Sequence, residues 1–125
     1  MTGLVLDAAV LIDHLRGYPE AADFLSQLSA PPHCSEVTRV EVGRGLRSRE
    51  RSPAKRLFAA IQWVPLTTSI AEIALELGRT WRRSHHTIDL ADLVVAATAQ
   101  HLGLPVATTN VKHFPMFEGL VRPYG

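Results

Sequence analysis

The sequence predicts an α/β fold: a three-layer α/β/α domain around a central parallel sheet. Three observations carry this prediction. Short apolar runs alternate along the chain with segments of helical period. Those runs lack the in–out alternation of half-exposed strands, so they read as strands covered on both faces. The chain has 125 residues, 46% of them apolar and 20% charged, which suits one core and leaves little room for a second. Residues 1–125 are therefore expected to form a single domain.

Each element has a local signal. Gly3 to Leu6 is an apolar run that stops at Asp7, and reads as the first strand. Val10, Leu11, His14 and Leu15 then follow at helical spacing. Pro19 suits the first position of another helix, which Pro31-Pro32 ends. His33 to Glu36 is a short second strand. Thr38-Arg39-Val40-Glu41 has the form of a capping box, and Pro53 opens the next helix. Trp63 to Leu66 reads as the third strand, and Ser69-Ile70-Ala71-Glu72 as a second capping box. Ile70, Ile73, Ala74, Leu77 and Trp81 form the clearest amphipathic stripe in the chain. A helix capped by Asp89 and ending at Gly103 is apolar nearly all round, so it is expected to be central. Pro105 to Thr108 supplies a fourth strand and Gly119 to Arg122 a fifth.

Composition excludes several classes. The apolar share rules out intrinsic disorder. The longest apolar stretch, Leu93 to Ala99, is far short of the roughly 20 residues that span a bilayer. The N-terminal residues show no secretion signal. Cys34 is the single cysteine, so no intrachain disulfide or multi-cysteine zinc site is possible. A cytoplasmic setting is expected. No Walker loop or GxGxxG occurs, so no nucleotide cofactor is implied. Net charge is only +1, but seven of the thirteen basic residues fall between Arg39 and Arg56. Such a local patch can hold phosphate, or can be no more than a solvated helix face.

Parallel α/β sheets place their sites at the carboxyl ends of the strands. That rule selects Asp7, Glu41, Asp89, Asp92 and Asn110. Singly, each has a plain explanation: caps at Asp7 and Asp89, a capping-box glutamate at Glu41, a helix-dipole partner at Asp92. Together they bring several carboxylates to one rim. Two carboxylates 4 Å apart repel by about 4 kcal/mol at an effective dielectric of 20. Either the acids protonate or a divalent cation sits among them. Oxygen donors suit Mg²⁺, or Mn²⁺, rather than zinc. A cation so held activates water against a phosphodiester. Arg39, Arg44 and Arg47 would then hold the nucleic-acid backbone. His85-His86 and Arg79, Arg82 and Arg83 read as surface, and Trp63 and Trp81 as core.

Four ordered motifs now coincide. They are Leu4-Val5-Leu6-Asp7-Ala8-Ala9-Val10-Leu11-Ile12, Thr38-Arg39-Val40-Glu41-Val42-Gly43-Arg44-Gly45-Leu46, Asp89-Leu90-Ala91-Asp92-Leu93-Val94-Val95-Ala96-Ala97-Thr98-Ala99, and Gly103-Leu104-Pro105-Val106-Ala107-Thr108-Thr109-Asn110-Val111-Lys112-His113-Phe114. In these the chain resembles PIN-domain ribonucleases of the VapC type, the toxins of bacterial toxin–antitoxin pairs. The resemblance implies a metal-dependent endoribonuclease, a homodimer and a cognate VapB-type antitoxin that occludes the site. It matches Asp7, Glu41 and Asp92 to the family's core metal-binding acids, leaving Asp89 as a cap. Asn110 would position water or phosphate. Two departures stand out. The family usually carries a hydroxyl residue after its first Asp, where this chain has Ala8 and Ala9. It often carries a fourth acid after the last strand, where this chain has Asn110 or His113. The alternative reading is a catalytically silent PIN domain that binds RNA or a protein partner. A phosphoacceptor receiver domain fits poorly: Ala8 follows Asp7, and no Asp ends the run from Trp63 to Leu66.

Overall fold

A computed structural model describes residues 3–125. Four parallel strands form one sheet: β1 (Val5–Leu6), β2 (His33–Ser35), β3 (Gln62–Val64) and β4 (Val106–Ala107). Their order across the sheet is β3-β2-β1-β4. Val5 pairs with His33 on one side and Val106 on the other, so β1 is central. Among the described residues, six α-helices connect the strands: α1 (Ala8–Leu15), α2 (Pro19–Ser26), α3 (Glu36–Arg44), α4 (Arg51–Ala59), α5 (Thr68–Trp81) and α6 (Leu90–Leu102).

The two residues of β1 show why the fold has three layers. Side chains alternate across a strand. Leu6 faces one apolar cluster, built with Val10 and Leu11 of α1, Val42 of α3 and packed Leu25 and Phe58 from α2 and α4. Val5 faces the other, with Val95, Ala96 and Ala99 of α6 and Phe114. Ile70 and Ala74 of α5 cover α6 from outside, against Val94 and Ala97. Cys34 lies fully buried in the first cluster, as a small apolar residue would.

Most elements lie where the sequence puts them, and α6 is buried from Val94 to Ala99. It ends at Gly103, whose φ of 67° is the left-handed conformation that favours glycine at this cap. Four expectations need correction. The first cap of α3 is Ser35, whose hydroxyl accepts from the Val37 amide; Thr38 lies inside the helix, so no capping box forms there. The chain passes from β2 into α3 without a loop, which leaves Ser35 as the only residue able to cap. Likewise Thr67, not Ser69, caps α5 by accepting from the Ile70 amide. Helix α4 begins at Arg51, continuing a 3-10 turn over Ser48–Glu50, and Pro53 sits in its first turn, where no intrahelical donor is lost. Residues 119–122 form no strand. Gly119 turns the chain at φ 70°, and Arg122 Nη1 reaches back to the Thr109 carbonyl at 2.8 Å. Trp63 packs at the first cluster, but Trp81 is only half-buried, with its ring edge-on to His85.

Candidate active site

Asp7 follows β1 directly, at the carboxyl end of the central strand. It occupies the N-cap position of α1, yet its side chain makes no capping bond. Oδ2 instead accepts from Thr108 Oγ1 at 2.8 Å, across 101 residues of sequence. Asp7 is only 5% exposed. Burial pushes its carboxyl above the usual range, against the opposing pull of Thr108, the Ala8 and Ala9 amides and His113.

Asp92 reaches the rim from α6. It is the third residue of that helix and closes a reciprocal capping box. The Asp92 amide donates to Asp89 Oδ1 at 2.9 Å, and the Asp89 amide donates to Asp92 Oδ2 at 3.1 Å. Asp89 thus caps, as expected. Asp92 Oδ2 also meets His113 Nδ1 at 3.1 Å. Burial, then repulsion from Asp89 and Asp7, raises the Asp92 carboxyl to about 7, with the Asp89 amide and His113 opposing.

Glu41 lies one and a half turns into α3 and is half-buried. Burial raises its carboxyl, and the charges of Asp7 and Asp89 raise it further; Arg44, three residues on, opposes them. Asn110 begins the 3-10 turn Val111–His113 after β4, with its side chain exposed and its amide donating to Thr108 Oγ1 at 2.9 Å. Four carboxyl groups from β1, α3 and α6 therefore feel one another across one rim. Among the described residues, no three His, Cys, Asp or Glu side chains stand close enough together to hold a metal ion as they are. The donor set nonetheless suits a hard divalent cation. It is all oxygen, its carboxyls repel, and no side chain among the described residues donates to Oδ1 of Asp7 or Asp92.

The basic residues are placed less uniformly. Arg39 lies two residues from Glu41, hence about 200° around α3. Its guanidinium pairs with Glu36 at 2.5 Å and stacks over Trp63, 4.1 Å from the ring centroid. It lines an open groove of about 580 Å³ with Arg51, Lys55, Phe58 and Trp63. Arg44 is exposed near Glu41, and Arg47 is exposed at the start of the 3-10 turn Ser48–Glu50, its amide donating to Glu50 Oε1. Sequence reasoning missed Thr108 and the pairing of His113 with Asp92. Thr108 carried a usable signal: it is the polar residue that ends an apolar strand, the same position that singled out Asp7.

A model of the PIN domain matches residues 4–116. Two curated relatives come from Mycobacterium tuberculosis. Ribonuclease VapC19 is 40% identical over 123 residues, covering 96% of this chain and 98% of the relative. Ribonuclease VapC10 is 42% identical over 123 residues, covering 97% and 92%. The fold superposes on a chain of a toxin–antitoxin complex from Klebsiella pneumoniae with a TM-score of 0.82, 28% identity and 97% and 98% coverage. Near-complete coverage in sequence and in fold gives one conclusion: the chain belongs to the PIN-domain family, in its VapC group.

Proposed function

We propose that this chain is a divalent-metal-dependent endoribonuclease, the toxin of a type II toxin–antitoxin pair. The observation that carries the proposal is the convergence of Asp7, Glu41 and Asp92 on one rim, each carboxyl raised by burial, and those of Glu41 and Asp92 raised further by neighbouring carboxylates. The full-length likeness to proteins named ribonucleases supports it. Asp7 and Asp92 would hold Mg²⁺ or Mn²⁺ directly, and Glu41 directly or through water. When bound, the cation lowers the pKa of a water and offsets charge on the phosphodiester under attack.

The remaining work falls to this chain's own residues. Glu41, half-exposed at the rim, accepts a hydrogen bond from the attacking water and orients it. The Asn110 amide group steadies water or a phosphate oxygen. Arg44 and Arg47 draw the RNA backbone toward the acids, and Arg39, held on Trp63, adds to the field. We further assign the chain a single domain over residues 1–125, a homodimeric state, a VapB-type antitoxin partner and a cytoplasmic setting. Among the described residues no helix is long and apolar enough to cross a membrane.

The test is cleavage of a mixed single-stranded RNA pool by the purified chain with Mg²⁺, with Mn²⁺ and with EDTA. Cutting with metal, lost in EDTA and in Asp92→Asn, is the expected result. A folded chain that binds RNA but cuts under neither metal would make it a silent binding module.

A further inference from the structure

Both core acids are gripped from one short segment, and that segment lies outside the acid motifs. Thr108, fully buried, follows β4 directly. Its hydroxyl accepts from the Asn110 amide at 2.9 Å. An amide N–H cannot accept, so the hydroxyl proton is left for Asp7 Oδ2, 2.8 Å away. The same Asn110 bond starts the 3-10 turn Val111–His113, which returns His113 Nδ1 to within 3.1 Å of Asp92 Oδ2. The far end is fixed by Phe114, fully buried against Val5 and α6. The Thr109 carbonyl is tied to Arg122 at 2.8 Å.

We propose that residues 108–114 act as a clip in which Thr108 and His113 are positioning residues, meeting Asp7 and Asp92 at Oδ2 and so fixing the two carboxyls that would ligate the cation. The inference rests on the metal site proposed above. It also accounts for two features of the sequence. Asp7 has only Ala8 and Ala9 beside it, and Thr108 supplies a hydroxyl from across the sheet instead. No acid lies within residues 108–114, and His113 stands there as a base facing Asp92 instead. Carboxylates held through one oxygen enter coordination with less ordering still to be done, which is how such outer partners raise metal affinity.

The experiment is calorimetric titration of the whole chain with Mn²⁺, beside RNA-cleavage kinetics. Thr108→Val keeps the shape and removes the hydroxyl. It is expected to weaken Mn²⁺ binding about 10- to 100-fold and to lower kcat with KM for RNA unchanged. Thr108→Ser restores the donor and is expected to bind within about threefold of wild type. His113→Ala and His113→Asn form the parallel pair, the amide of Asn keeping a polar nitrogen beside Asp92. Should Thr108→Val fail to fold, the Thr108→Ser and His113 variants still decide. Wild-type affinity in a folded Thr108→Val, or no rescue by Ser and Asn, overturns the proposal. A wild type that binds no Mn²⁺ overturns it together with the metal site. The graded Mn²⁺ affinities without any RNA cleavage would uphold the clip and contradict the proposed function alone.

Discussion

The acidic rim and the arginine-rich arc from Arg39 to Arg56 are built on opposite principles. At the rim, Asp7 and Asp92 are buried, and Thr108 and His113, from distant parts of the chain, meet one oxygen of each. Along the arc, Arg44, Arg47, Arg49, Arg51, Lys55 and Arg56 are exposed, and the arc's one ion pair among the described residues, Arg39 with Glu36, is local to its helix. Buried charge is costly unless something offsets it, so the rim tolerates it only where a proton or a cation can enter. Exposed charge costs little and contributes a field that salt screens. One region fixes atoms; the other collects a polyanion.

The contrast sets the order of expected effects. Asp92→Asn keeps the acceptor for the Asp89 amide but loses the charge. It should lower RNA cleavage about a thousandfold or more, since a metal ligand is worth several kcal/mol, with the circular dichroism spectrum unchanged. Cleavage reduced only a few-fold would move Asp92 from ligand to cap.

The same substitution should stabilise the metal-free protein. The Asp92 carboxyl is raised in the fold from 3.8 to about 7. A raised pKa gives stability that is full below the unfolded value and lost as pH rises through the folded one. The advantage of Asp92→Asn over wild type should therefore grow from about pH 4 to pH 7 and then level off. Urea unfolding at pH 5 and pH 8 in EDTA measures it. An advantage larger at pH 5 would contradict the cause assigned here.

Asp89→Ala removes a cap and should cost about 1 kcal/mol of stability, while cleavage stays within tenfold of wild type because Asp89 is not among the proposed ligands. The smallest effects belong to the arc. Arg44→Ala or Arg47→Ala should weaken single-stranded RNA binding a few-fold and reduce the slope of log K against log salt by about 0.7 each. An unchanged slope in both would remove these residues from the RNA path.

How much was legible follows the same division. Strand ends mark themselves where an apolar run stops, so Asp7 and the strand before it could be read directly. Asp89 could be read because a helix start beside an apolar run has a local signature. The α3 cap was misplaced because Ser35 looks like the end of a strand, and only the missing loop makes it a cap. The position of Thr108 carried a signal, but the partners of Thr108 and His113 did not: they lie 101 and 21 residues away, and contacts across a fold leave no spacing to read. The stacking of Arg39 on Trp63 was hidden for the same reason: α3 and β3 meet only in the folded sheet.

The central claim is that Asp7, Glu41 and Asp92 share one divalent cation. Anomalous diffraction from crystals grown with Mn²⁺ tests it most directly. One peak coordinated by oxygens of Asp7 and Asp92, with Glu41 direct or through water, is the predicted result. Bound Mn²⁺ elsewhere on the chain, or none at a concentration that supports cleavage, would contradict it.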